Sequence, residues 1–114
     1  MSNEQEVQQI EMSMQECKAR IELSDALKRL AENADFQFVF EDTYMGKYAL
    51  NSISMKASIQ MMDENKQRFI DGQLAGIGHL KNYMHFVHRE AEVAREALAS
   101  HQDELDIMQA EEEL

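Results

Sequence analysis

Residues 70–108, IDGQLAGIGHLKNYMHFVHREAEVAREALASHQDELDIM, carry the pattern on which the fold turns. Alternate steps of three and four pick out Ile70, Gln73, Ile77, Leu80, Met84, Val87, Ala91, Ala94, Leu98, His101, Leu105 and Met108, of which only Gln73 and His101 are polar. A stripe with that period keeps one face of an α-helix against a partner, and it predicts a single helix over 64–111. At 1.5 Å per residue such a helix is roughly 70 Å long, so it needs partners along most of its length. Asp63 suits the capping position before it, and Glu64 suits the positive end of its dipole.

Upstream, Val7, Ile10, Met14, Cys17 and Ile21 form a second seam that shifts face to Leu23, Leu27 and Leu30. This predicts a helix over 3–33, roughly 45 Å long, with Asn33 as its stop. Residues 34–62 must cover the remaining length of the long helix. Phe36-Gln37-Phe38-Val39-Phe40 alternates as a strand would, and prefoldin subunits place β-hairpins between two long helices. Helix fits better: Asp35 can cap, Phe36, Val39 and Phe40 share a helical face, and Gly46 offers a stop. Tyr48, Leu50, Ile53, Ala57 and Met61 then resume at helical spacing, so short helices are expected over 36–42 and 47–61. Both would fold against 65–86, where Phe69, Leu74, Tyr83 and Phe86 widen the apolar surface. The fold class read from these patterns is all-α, an antiparallel helical hairpin or coiled coil with two short helices packed at one end. It forms one helical domain over 1–114.

Composition narrows the function. With 114 residues, no Pro, no Trp, four Gly and nine Met, the chain favours long uninterrupted helices over turn-rich sandwiches and barrels. Acids outnumber Lys and Arg by 22 to 11, for a formal net charge of −11, which opposes direct binding to nucleic acid or anionic lipid. Residues 90–114 alone hold nine acids and one Arg, yet they keep the apolar period, which a solvated tail has no reason to do. Cys17 is a lone cysteine and implies a reducing compartment. The N-terminal stretch lacks a basic region followed by an apolar run, and no segment approaches the roughly 18 apolar residues of a membrane span. A soluble, intracellular protein is expected.

No catalytic or metal constellation emerges. Residues 72–78, GQLAGIG, neither follow a strand nor open a helix, and no Lys-Ser or Lys-Thr pair is near, so they read as a site of close helix approach. Phe36, Phe40 or Tyr48 would fill the gap. His85, His88 and Glu92 share a helical face but make an incomplete ligand set, and His79 stands apart from it. His101 sits on the seam, either as a polar layer that fixes register or as a ring reaching toward the edge. Cys17 reads as a small buried hydrophobe and the methionines as core filling. No catalytic, cofactor-binding or metal residues are expected, no cofactor is implied, and the chain is read as non-enzymatic.

The segment Leu30-Ala31-Glu32-Asn33-Ala34-Asp35-Phe36, with Val39, Tyr44, Ala49 and Leu50 and later Leu74-Ala75-Gly76-Ile77-Gly78-His79-Leu80-Lys81-Asn82-Tyr83, resembles a family of small acidic helical proteins of tailed bacteriophages. The resemblance covers roughly residues 20–110. Gln37, Phe38 and Phe40 depart from it, standing where that family carries charged and aliphatic residues. Its motifs are structural, so it implies a phage origin and no site residues. The expected role is then a structural or assembly protein of the particle, virion-associated or scaffolding, acting through helical self-association. An acidic inhibitor that binds a basic surface of a host protein is the alternative. Val93, Ala97 and Ile107 on the long helix and Leu23, Leu27 and Leu30 on the first lie off the main stripes and are the expected interface. The expected partners are a second copy, in a dimer or higher oligomer, and other phage or host proteins, with no nucleic acid and no membrane. The expected location is the host cytoplasm and the phage particle.

Overall fold

A computed structural model describes residues 3–113, so the first two residues and the last of the expected 1–114 domain lie outside the described residues. Of the described residues 94% are helical, and no strand occurs among them. That removes the β-hairpin alternative for 34–62 and establishes an all-α helical hairpin. In chain order the elements are α1 (Asn3–Ala31), α2 (Ala34–Phe36), a π-helix (Gln37–Tyr48), α3 (Ala49–Lys56), a 3₁₀ turn (Ile59–Met61) and α4 (Glu64–Glu112). Contacts divide the chain into two compact units. Met1–Ala26 with Phe86–Leu114 make a terminal unit, and Leu27–His85 make a central one.

In the terminal unit, α1 packs antiparallel on α4. Ser24 pairs with His88, Asp25 lies 3.6 Å from Arg95, and residues between Glu6 and Ser13 share a groove with residues between His101 and Glu111. Rising numbers on one helix therefore meet falling numbers on the other. The buried apolar residues here are Met14, Cys17, Val87, Ala91 and Ala94. Ala91 and Ala94 are small side chains on the seam, which lets helices approach closely. Cys17 is a free buried thiol.

The central unit departs from expectation in its winding. Asn33 does not simply stop α1. Its side-chain Oδ1 accepts hydrogen bonds from the amides of Asp35 (2.9 Å) and Phe36 (3.0 Å), so Asn33, rather than Asp35, caps the next helix. Gln37 Nε2 then donates to the Ala31 carbonyl at 2.6 Å and ties the turn between α1 and α2. The two short helices expected over 36–42 and 47–61 are not separate. Ala34 to Lys56 wind without a break, and Gly46 passes through the helix with no positive φ. A glycine stops a helix by adopting φ > 0, and nothing here forces it to. The middle twelve residues take the wide i→i+5 winding, which is rare at this length. From Phe36, the last residue of α2, aromatic rings recur at every fourth position to Tyr48. Phe36 and Phe40 have centroids 5.1 Å apart, and Tyr44 and Tyr48 are 5.7 Å apart, within the range of favourable ring pairs.

The chain then turns back on itself. The two N–H protons of the Gln67 side-chain amide go to the carbonyls of Lys56 (3.0 Å) and Met61 (2.7 Å), which clamps the 3₁₀ turn onto the start of α4. Asp63 contributes its backbone carbonyl to the first α4 hydrogen bond, from Gln67 N–H at 2.9 Å. Ser52 donates to the Tyr48 carbonyl at 2.9 Å and lies 3.3 Å from Gln73 Oε1, and Lys56 pairs with Asp71. These contacts set α3 antiparallel to the first third of α4.

The glycines of α4 have unequal surroundings. A Cβ at Gly76 would meet the Tyr44 hydroxyl at 3.3 Å, so the close approach falls to Tyr44 and not to Phe36, Phe40 or Tyr48. At Gly72 and Gly78 a Cβ would meet nothing within 4 Å. Gly72→Ala and Gly78→Ala are therefore expected to stabilise the fold by about 1 kcal/mol each through helix propensity. Gly76→Ala should gain less than either, and Tyr44→Phe, which removes the crowded hydroxyl, should restore the difference. Gly76→Leu overpacks and should lower stability by about 1–3 kcal/mol. Denaturant melts check all of these, and a Gly76→Leu variant more stable than the unaltered chain would discard the packing account.

Candidate interaction surfaces

Burial in this chain is sparse. Among the described residues, seven apolar residues are buried, three of them small, while seventeen large apolar side chains are exposed. Monomeric folds scatter single apolar residues on the surface without consequence, but exposure on this scale marks contact surfaces. Twelve of the seventeen belong to the central unit, among them Phe38, Leu50, Ile53, Ile59, Phe69 and Tyr83. Phe69, Tyr83 and Phe86, expected to pack against the middle segment, are 64%, 53% and 49% exposed. Phe40 and Val39 share that fate, so the face that Phe36, Val39 and Phe40 were expected to bury is only partly covered.

Charge divides along the same line as the contacts. The central unit holds seven acids and seven Lys or Arg, for a net charge of zero. The terminal unit holds fifteen acids and four Lys or Arg, so all of the −11 resides there. One unit is neutral and rich in exposed apolar side chains. The other is acidic.

Of the interface residues read from the sequence, Leu23, Val93, Ala97 and Ile107 fall in the acidic terminal unit, and Leu27 and Leu30 in the central one. Leu23, Leu30, Val93 and Ile107 are exposed, whereas Leu27 and Ala97 are half-buried. The structure does not gather the six into one patch within either unit. Sequence reasoning missed that Phe38, Leu50 and Ile53 stand largely exposed.

The two polar breaks in the α4 seam have different explanations. Gln73 faces Ser52, one of two buried polar residues among the described residues; the other, Ser24, shares a 2.8 Å hydrogen bond with His88 Nδ1. Ser24 thus pins the register of the terminal unit, while Ser52 donates its hydrogen bond to the Tyr48 carbonyl of its own helix. His101 has no such partner. Its Nδ1 is buried without a hydrogen bond, and Glu104 Oε2 lies 3.9 Å away, beyond bonding distance. The His101 ring lines a groove of about 500 Å³ in the terminal unit, with Ile10, Ile107 and Met108 as its apolar floor and Glu6, Glu104 and Glu111 as its carboxylates.

Among the described residues, no three His, Cys, Asp or Glu side chains are gathered to hold a metal ion, and no helix is long and apolar enough to cross a membrane. No protein-family model matches the chain, and no curated protein or solved structure matches it either.

Proposed function

We propose that this chain is a non-enzymatic assembly protein that works by helical self-association, and that it acts in the building of a phage particle inside the host cell. The observation that carries the reading is the coincidence of exposed apolar side chains with electrical neutrality in the central unit. Two copies meeting there bury Phe38, Leu50, Ile53 and Phe69 without bringing net charge together, at roughly 25 cal/mol gained per Å² of apolar surface covered. Contact through Val93, Ala97 and Ile107 instead brings together two surfaces that share a charge of −11 each, and like charges across an interface oppose it. The association surface therefore belongs on residues 27–85, with Leu27 and Leu30 at its start.

Sedimentation equilibrium across a salt series tests this. A dimer or larger oligomer is expected at tens of micromolar, and added salt should leave it unchanged or tighten it by screening the acidic units. A monomer at those concentrations rejects self-association. An oligomer that salt dissolves moves the contact to the acidic unit, set against basic groups such as Lys66, Lys81 and Arg89. Mass spectrometry of purified particles then separates a virion component from a scaffold that leaves.

A further inference from the structure

The groove of the terminal unit has features that self-association through the central unit does not use. Its walls come from one face of α1 (Glu6, Gln9, Ile10, Ser13) and one face of α4 (His101, Glu104, Ile107, Met108, Glu111). No Lys or Arg lines it, while three carboxylates do. Its floor is apolar and open to solvent, with Ile107 60% exposed, and one polar atom in its wall, His101 Nδ1, lacks a hydrogen-bond partner. Glu104 and Glu111 stand seven residues apart on α4, on either side of Ile107 and Met108. That spacing keeps both carboxylates on one face, about 10 Å apart along the axis.

We infer that this groove is a docking site for a basic amphipathic helix of a different protein. Two antiparallel helices with an apolar furrow between them lack a third, and an amphipathic helix laid into such a furrow inserts apolar residues at i, i+3, i+4 and i+7. Charge decides which helix. Lys or Arg flanking the apolar stripe at a spacing of seven meets Glu104 and Glu111 on one side and Glu6 on the other. A second copy of the same segment brings carboxylates to carboxylates. The surrounding unit, fifteen acids against four bases, also steers a cationic partner toward the groove and speeds encounter at low salt. The inference stands apart from self-association, since it concerns the other unit.

The full-length chain is titrated with a synthetic helical peptide bearing Leu at i, i+3, i+4 and i+7 and Lys on both flanks, followed by calorimetry. A matched peptide carries Glu on the flanks. Saturable binding of the Lys peptide is expected, with Glu104→Lys/Glu111→Lys weakening it about tenfold or more and Ile107→Asp doing likewise. Both alterations lie at exposed positions, and circular dichroism verifies their helicity. Where Ile107→Asp loses helicity, Ile107→Gln replaces it. A control pair, Glu41→Lys/Asp42→Lys, changes the net charge equally on the central unit and should shift binding by less than about twofold. Four results would overturn the inference: no saturation below about 1 mM, equal binding of the Glu peptide, equal loss in the control pair, or a dimer that the Lys peptide dissociates, which would seat a second copy in the groove.

Discussion

A chain carrying Leu50→Asp and Phe69→Asp is expected to sediment as a monomer at concentrations where the unaltered chain associates, with its helicity unchanged. Both side chains are about two-thirds exposed, so in the free chain the new carboxylates remain in water and cost little. In an interface built on the central unit they would be buried without partners, in each of two copies, at several kcal/mol per ion. Association should weaken by at least about a hundredfold, since each tenfold corresponds to about 1.4 kcal/mol. Val93→Asp/Ile107→Asp provides the contrast. If that variant dissociates the oligomer and the central pair does not, the contact lies on the acidic unit. Circular dichroism on both variants verifies that the loss is of association and not of folding.

The second large effect concerns stability. Ile70 is fully buried, at 0% exposure, and with Ile77 and Ser52 it makes up the buried residues of the central unit. Ile70→Ala should cost about 2–5 kcal/mol, even though alanine is the better helix former, because the cavity and the lost transfer energy outweigh a propensity difference of a few tenths. With so few buried side chains, the loss should fall on one unit. Amide hydrogen exchange is expected to show α3 and the 3₁₀ turn losing protection while amides near Met14 and Val87 keep theirs. Ile59→Ala, at 89% exposure, should change stability by less than about 0.5 kcal/mol. Uniform loss of protection along the chain in the Ile70 variant would show a single cooperative unit instead.

How much of this was legible beforehand varied from element to element. The long α4 could be read from its seam because a period sustained from Ile70 to Met108 has no strand interpretation, and the missing prolines left nothing to interrupt it. The middle segment was harder for a physical reason. The i→i+5 winding has no residue preference that separates it from i→i+4, so Gly46 reads as a stop from sequence, although Phe36 and Phe40 do share a face. Tyr44 as the neighbour of Gly76 follows only once that winding is known. The groove was half visible: Glu104, Ile107 and Glu111 lie together in the α4 pattern. Their pairing with Glu6 and Ile10 needs the register of α1 on α4, and a repeating heptad permits that register to slip by sevens. Ser24 with His88 is what holds it, since a slip would strand a dry hydroxyl in the terminal unit. Polar pairs of this kind are not readable from apolar periodicity, because each partner taken alone looks like an ordinary blemish in the pattern.

The long stretch of wide winding between Gln37 and Tyr48 makes that segment a gearing element. Relaxing it to ordinary α-helical bonding would lengthen the helix that runs from Ala34 to Lys56 and turn α3 about its axis. Leu50 and Ile53 would then point in a new direction relative to Phe38 and Phe40, and the set of apolar side chains offered on one side of that helix would change without a single residue being replaced. A chain that inserts or deletes one residue in this segment makes a rotation of the same kind permanently, though of a different size. Variation in length between Gln37 and Tyr48 would therefore alter what that helix adheres to far more than a substitution there does.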